Sequence, residues 1–339
     1  MTQPMVSVII LNWNGASLLE EFLPSVVNYT PADKARVIVA DNGSTDQSLT
    51  VLRQKFPHVE LWEFDRNYGF AGGYNRALDR CTTPYAVLLN SDVAVDSDWI
   101  TPLLDYMRSH PQCGACQPKI LSYRNPNTFE YAGAAGGFID RNGYPYCRGR
   151  LMDSVEHDSG QYDGPPVEIF WATGAAMMVS VEAYRRAGGL DEAFFAHMEE
   201  IDLCWRMQLL GYTIAAVTQS HVYHLGGASL DASNPRKTLL NFRNSLLMMY
   251  KNLPRGRSRT ATLLRRRLLD ILAWAQFIIK GKWGHTRAIV QAHRQFSKMK
   301  ANYACAAPPN IDLLHTHPRR PNLLVDYYLR RKKKFSQLK

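Results

Sequence analysis

Three short apolar runs in the first ninety residues each end on a polar cluster, with helix-period patterns between them. Val6-Ser-Val-Ile-Ile-Leu11 ends at Asn12-Trp13-Asn14-Gly15, and Val37-Ile-Val-Ala40 ends at Asp41-Asn42-Gly43-Ser44-Thr45-Asp46. Tyr85-Ala-Val-Leu-Leu89 ends at Asn90-Ser91-Asp92. Runs this long and this uniformly apolar read as strands buried on both faces. Leu18, Leu19, Phe22, Leu23 and Val26 recur at helical spacing after the first run, Leu49, Val51 and Leu52 open a second helix, and Val59 to Trp62 reads as a further strand. Strands alternating with helices imply a doubly wound, mostly parallel α/β sheet of the Rossmann type. Ligands in such sheets bind beyond the carboxyl ends of the strands. Asp41, Asn90 and Asp92 all fall at such ends.

The second informative stretch is Phe194 to Gly211, where Glu199, Glu200 and Asp202 directly precede an apolar helical pattern that should end at Gly211. Carboxylates in a first helical turn face the positive end of the helix dipole. One of them at the mouth of an α/β core can accept a proton from a hydroxyl. Acids also open helices without any chemistry, so the stretch gains force from its partners.

Asn90 and Asp92 lie two residues apart, on one side of a strand end. That oxygen pair suits Mg²⁺ or Mn²⁺ shared with phosphate oxygens. His224 follows a later strand, with Gly226 and Gly227 behind it, and imidazole beside carboxylate favours Mn²⁺. A lone histidine is more often structural, so its candidacy rests on Asp92. The Asn67 to Asn75 segment is read as a glycine-rich loop before a short helix, offering backbone N–H groups to a phosphate. It lacks the Gly-Lys-Ser/Thr of a nucleotide P-loop and is not a dinucleotide fingerprint. Asp46 suits a helix cap, leaving Asp41 free to accept the imide N–H of a base.

Charge is unevenly placed. Residues 236 to 339 hold 24 Lys/Arg against 3 Asp/Glu, and residues 1 to 235 hold 16 against 27. An acidic body therefore carries a basic extension, which implies an anionic surface as partner. The expected division is a catalytic domain over 1–235 and a basic helical extension over 236–339. Within the extension Leu264, Leu268, Ile271, Leu272, Ala275, Ile278 and Ile279 fall on one helical face flanked by Arg and Lys. The apolar part, 268 to 279, is shorter than the roughly 20 residues needed to span a bilayer. It suits a helix lying in a membrane interface, or one packed against the body or a second subunit. Arg330 to Lys334 reads as a solvated charge run, either adding attraction to anionic lipid or serving as no more than a soluble tail.

Six cysteines at 81, 113, 116, 147, 204 and 305 read as incidental thiols. Cys113-Gly-Ala-Cys116 has no second pair to complete a zinc site. The N-terminal run reads as a strand, not a signal peptide, so a cytoplasmic protein at the inner membrane face is expected. Residues 113 to 170 read as irregular loops with short strands. The acidic body would repel phosphate backbones and no nucleic-acid motif is present, so no nucleic-acid partner is expected.

Taken in order, these motifs resemble glycosyltransferase family 2, with the nearest likeness to its bacterial rhamnosyltransferase-like members. The likeness runs over roughly residues 5 to 250. It rests on Val-Ser-Val-Ile-Ile, Asp41 to Asp46, Asn67 to Asn75, Leu-Leu-Asn-Ser-Asp92, Gly174-Ala-Ala-Met-Met, Glu-Glu-Ile-Asp-Leu-Cys-Trp-Arg206 and His224-Leu-Gly-Gly-Ala-Ser229. The resemblance implies a GT-A fold, a nucleoside-diphosphate-sugar donor, a divalent metal and inversion at the anomeric carbon. It implies that Asp41 reads the base, that Asp92 is the metal-binding acid with Asn90 in place of a first acid, and that His224 is the distant ligand. It implies that Glu200 is the general base, with Glu199 as fallback and Asp202 and Arg206 in support. Trp171 and Gly174 take the acceptor side. Asn12, Asn14, Asn67, Gly72, Asn75 and Ser91 join the donor side. Rhamnose is the sugar it suggests, on a lipid-linked or polysaccharide acceptor of the cell envelope. A nucleotidyltransferase on a related sheet and a non-catalytic nucleic-acid-binding module are the alternative readings.

Overall fold

A computed structural model describes residues 4–226, 234–303, 309–316 and 321–338. Gly227 to Ser229 of the last motif, and Cys305, lie outside them. The chain opens with β1 (Val6–Asn12), α1 (Ala16–Tyr29), β2 (Ala35–Asp41), α2 (Ser48–Lys55), β3 (Glu60–Glu63), α3 (Gly69–Arg80) and β4 (Tyr85–Asn90). It continues with β5 (Val93–Ala94), α4 (Ile100–Ser109) and β6 (Cys113–Ser122). A four-stranded meander follows: β7 (Gly137–Ile139), β8 (Pro145–Cys147), β9 (Arg150–Leu151) and β10 (Ser154–Val155). Then come β11 (Val167–Glu168), β12 (Ala176–Ser180), α5 (Val181–Arg186), α6 (Glu199–Leu209) and β13 (Thr213–His224). Three long helices follow, α7 (Pro235–Asn252), α8 (Arg257–Ile279) and α9 (Trp283–Met299).

The main sheet runs β11-β13-β6-β12-β4-β1-β2-β3, with β5 pairing β13. Its β4-β1-β2-β3 half is wholly parallel, and Leu11 stands beside both Ala40 and Asn90. The strand ends carrying Asn12, Asp41 and Asn90 are therefore level. Antiparallel β12 joins this half to β6, and β6 pairs in parallel with β13. Apolar cores form on both faces of the sheet, which is why its strands lack alternation.

Three expectations are corrected here. Residues 113–122 form a long buried strand, not a loop, because Gly114, Gln117, Pro118 and Lys119 break the apolar run that would have revealed it. The glycine-rich segment is helix from Gly69 onward. A Cβ at Gly73 would lie 2.7 Å from Leu11 Cδ1, so the missing side chain lets α3 pack directly on β1. His224 ends β13 itself, a single strand with an irregularity between Ala216 and His221.

The C-terminal helices dock through polar as well as apolar groups. Lys251 Nζ reaches Asp202 at 2.9 Å, and Asn252 donates to Asp202 at 2.8 Å. The α8 helix is inverted: it buries Thr262, Arg266 and Asp270, while Leu268 is 64% and Ile279 85% exposed. Arg266 pairs with Asp270 at 2.9 Å and caps the Tyr144 ring at 3.9 Å, and His293 of α9 meets Asp270 at 3.1 Å. The basic run near 330 is not wholly solvated. Lys332 pairs with Asp326 at 2.8 Å, and Phe335 is buried against Phe138 and Tyr146 of the meander.

Candidate active site

At the level edge of the sheet, Asn12 and Asp41 form one buried wall. Asn12 Nδ2 donates to Asp41 Oδ1 at 3.0 Å, and the Ser44 N–H donates to Asp41 Oδ2 at 2.9 Å. Each carboxylate oxygen keeps a further lone pair. Asn14, at φ 51°, accepts from the Thr45 N–H at 2.7 Å and so ties the β1 and β2 ends together. Asp46 accepts from the Ala16 and Ser48 N–H groups, a cap serving two helix starts.

A second group forms where β4 and β13 end. His224 Nε2 lies 3.1 Å from Asp92 Oδ1 and 3.3 Å from the Asn90 amide. Ser91 sits half-exposed in the turn between β4 and β5. The other imidazole nitrogen, Nδ1, lies 3.6 Å from Glu130 Oε2, beyond hydrogen-bond reach. Burial alone would depress the imidazole, but the Asp92 and Glu130 carboxylates outweigh it and push it up to about 10. Glu130 carries no sequence signal, since it lies in the span read as irregular.

The third group is the start of α6. The Ala175 carbonyl accepts from the Asn90 N–H at 2.9 Å, and a Cβ at Gly174 would lie 3.8 Å from Glu200 Cβ. The Gly174-Ala175 turn thus joins the β4 end to Glu200. Glu199 is buried and Glu200 half-buried. Burial raises both carboxyls, Glu200 to about 7, and the Glu200 and Asp202 charges lift Glu199 further. Asp202 behaves oppositely. Burial would raise it, but Arg206 and Lys251 hold it below the usual range. That carboxylate is committed to Arg206, Lys251 and Asn252, so it cannot serve as a proton acceptor and acts as a strut between α6 and α7.

The segment before α6 is strained. Phe195, His197 and Met198 all have positive φ, at 64°, 68° and 72°, and none is glycine. Such residues cost on the order of 1–3 kcal/mol each and persist where the surroundings hold them. Here α7 holds them. Arg243 donates to the Ala193 and Phe194 carbonyls, and Asn244 donates to those of Phe194, Ala196 and His197. Neither residue was legible as functional in the sequence, because nothing in an α7 helical pattern marks a partner fifty positions upstream. Buried polar atoms without partners among the described residues gather at this site: Asn12 Oδ1, His197 Nε2, Glu199 Oε2, Glu200 Oε2 and His224 Nδ1. Unsatisfied groups of that kind call for a ligand or water.

Other candidates stand apart. Trp171 is buried, with its indole N–H donated to the Phe138 carbonyl at 2.8 Å, so it is core and offers no acceptor wall. Gly72 is buried inside α3. Asn75 bridges the Leu190 backbone and the Tyr184 hydroxyl, which makes it a bracket for the 190 loop. Asn67 accepts from the Gly69 N–H at 2.7 Å and from Asn42, fixing the start of α3. Five cysteines are buried and free, with no disulfide among the described residues. No cluster of three His, Cys, Asp or Glu side chains able to hold a metal occurs among those residues.

Two strand-end clusters are thus joined by one turn to a helix-borne acid pair. Residues 7–173 match the model for glycosyl transferase family 2. The chain carries a family 2 glycosyltransferase domain. The N-acetylglucosaminyl-diphospho-decaprenol L-rhamnosyltransferase of Mycobacterium tuberculosis is 26% identical over 238 residues, 65% of this chain and 76% of that protein. The low-salt glycan biosynthesis hexosyltransferase Agl10 of Haloferax volcanii is 25% identical over 211 residues, 59% of this chain and 61% of that protein. Among solved structures, GalNAc-T7 with UDP, GalNAc and Mn²⁺ aligns with a TM-score of 0.56 at 18% identity, over 74% of this chain and 48% of that one. The mannosyltransferase PcManGT of Pyrobaculum calidifontis, in complex with GDP-Man and Mn²⁺, aligns with a TM-score of 0.54 at 15% identity, over 89% and 88%. These two likenesses fix the GT-A fold. This chain spans about half of the GalNAc-T7 chain and most of the other. Of the readings open in the sequence, glycosyl transfer is the one these comparisons support.

Proposed function

We propose that this glycosyltransferase moves a sugar, with inversion, from a nucleoside-diphosphate-sugar to a hydroxyl of a lipid-linked or glycan acceptor in cell-envelope synthesis. The observation that carries the proposal is the Gly174-Ala175 turn, which sets Glu200 beside the strand end bearing Asn90 and Asp92. Asp41, with spare lone pairs beside Asn12, accepts the imide N–H of the base. Asp92 Oδ1, His224 Nε2 and the Asn90 amide would hold a divalent cation such as Mn²⁺ once His224 gives up its proton and Asn90 turns its amide oxygen toward the ion. When bound, that ion neutralises the departing diphosphate as a Lewis acid. Glu200, raised close to neutral pH, takes the proton of the acceptor hydroxyl as its oxygen bonds to the anomeric carbon and the bond to diphosphate breaks. The strained 195–198 segment aims that carboxylate, and Glu199 is its reserve.

The exposed apolar stripe of α8 supports a location at an anionic membrane surface. Leu264, Leu268, Ile271, Leu272 and Ile279 are exposed together, beside Arg265 and Lys280. Contiguous exposed apolar surface with a basic margin suits the headgroup boundary. No helix among the described residues is long and apolar enough to cross a membrane. The decaprenyl-linked acceptor named for the mycobacterial relative fits that location, and rhamnose is the first sugar to test.

A panel of nucleotide sugars with Mn²⁺, scored for donor hydrolysis and thermal shift, tests the catalytic reading; silence across the panel ends it. Co-sedimentation with phosphatidylglycerol vesicles tests the location. The wild type is expected to bind and Leu268→Asp/Leu272→Asp to release, whereas a wild type that stays in solution at low salt removes the membrane from the proposal.

A further inference from the structure

Beside the strained segment lies a cavity of about 610 Å³ between α7 and α9, walled by Phe195, Leu239, Arg236, Arg243 and Arg287. No carboxylate lines it among the described residues. Arg243 is buried, and its hydrogen-bond acceptors are all neutral: Asn244, Gln295 and the Ala193 and Phe194 carbonyls. Arg236 stands near enough to repel it and lies 5.0 Å over the Phe195 ring. Three guanidiniums at one opening, one of them buried without an opposing charge, are costly unless an anion completes the group.

Helix direction adds to the field. Pro235 meets Gly284, and Arg243 meets Gln295, so α7 and α9 run parallel with both N-termini at this opening. Their dipoles both present positive ends to it. Phe195, Leu239, Leu240 and Ala288 add apolar wall, and Gln291 and Gln295 add two neutral amides. A ligand that fills the space is therefore anionic at one end and greasy at the other. The exposed stripe of α8 ends at Ile279, and Trp283, 61% exposed, follows one residue before Gly284 of the cavity wall. An apolar tail leaving the cavity meets the surface assigned above to the membrane.

We propose that this cavity is the subsite for a phosphate or diphosphate that joins the acceptor sugar to an apolar chain, with Arg236 and Arg287 as its exposed ligands. The inference rests on the lipid-linked acceptor of the proposed function and assigns it a place. Phe195 lines the cavity and lies four residues before Glu199, so a sugar carried on that phosphate stands on the base side of the site.

The test uses the full chain, with EDTA present to silence the donor side. Inorganic pyrophosphate is titrated calorimetrically into wild type and Arg236→Gln/Arg287→Gln. Both changes are at exposed positions, and circular dichroism checks the fold. Charge-assisted contacts to phosphate are strong, so the double variant is expected to bind pyrophosphate at least about tenfold more weakly. Farnesyl diphosphate is expected to displace pyrophosphate, and phosphatidylglycerol vesicles are expected not to. Equal binding by wild type and variant, or no binding by either, overturns the subsite. Equal displacement by the vesicles assigns the cavity to bilayer headgroups and overturns the acceptor. Because this readout needs no sugar transfer, loss of the subsite with intact transferase activity, and loss of activity with intact binding, are distinct results. With an active enzyme, the variant's KM for a diphosphate-linked acceptor rises at least tenfold while kcat changes by less than threefold.

Discussion

Two clusters of acids meet at this site and do opposite things with charge. At the β4 and β13 ends, Asp92 faces an imidazole at 3.1 Å, and the group is balanced by a cation within it. At the start of α6, Glu199 and Glu200 are adjacent, neither pairs with a cation among the described residues, and both carboxyls are pushed up by burial. One cluster carries its own positive charge, and the other leaves its carboxyls raised with no cation beside them among the described residues. Asp202 sharpens the contrast from two residues along the same helix. It has Arg206 and Lys251, and it is held below its ordinary value. Position in a first turn does not decide an acid's role; the partner supplied by another element does.

The largest effect that tests this division is Glu200→Gln. It removes the proposed proton acceptor and keeps the shape, so kcat is expected to fall about 10²–10⁴-fold while nucleotide affinity with Mn²⁺ stays within about twofold. Full turnover in Glu200→Gln, with loss only in Glu199→Gln, moves the base by one residue. Next comes Asp202→Ala, which takes the buried carboxylate from Arg206, Lys251 and Asn252 and leaves Lys251 paired with Asp191 alone. Breaking a buried pair this way costs about 3–5 kcal/mol, readable as a shift in urea midpoint. Glu199→Gln relieves repulsion instead and is expected to leave the midpoint equal or higher. Equal destabilisation by the two variants would dissolve the distinction between strut and base. Asp92→Ala is expected to weaken Mn²⁺-dependent nucleotide binding by about 10–100-fold, the scale on which perturbed metal sites respond. Retained Mn²⁺-dependent binding in that variant would take the metal away from β4.

The first ninety residues were legible because β1, β2 and β4 are largely buried on both faces and stop on polar clusters, so a linear pattern maps directly onto the sheet edge. The α6 acids were visible for the same local reason. What escaped is non-local. Arg243 and Asn244 matter through carbonyls about fifty residues upstream, and Glu130 through a histidine nearly a hundred residues on. Trp171 misled because a tryptophan beside a glycine turn reads as a wall, whereas Gly137 leaves room for its ring inside the core. The inversion of α8 also follows no sequence rule: its stripe was found, but the Arg266–Asp270 pair on the opposite face chose which side went inward.

The smallest expected effect is on pH, and it separates the two clusters without a mutation at Asp92 or His224. Glu200 must be ionised to accept a proton, and its carboxyl titrates at about 7. Acceptor-dependent kcat/KM is therefore expected to rise with pH and level off above 7, changing about threefold between pH 6.5 and 7.5, where a carboxyl at its ordinary value gives a flat profile. Stability runs the other way. A carboxyl raised on folding favours the folded state while protonated, so its contribution is present below about 4.5 and is lost as pH rises through about 7. Wild type should lose thermal stability across that window and Glu200→Gln should lose less, since glutamine has no charge to bury. An enzyme whose activity and stability climb together from pH 5 to 8 would place the working proton on some other group.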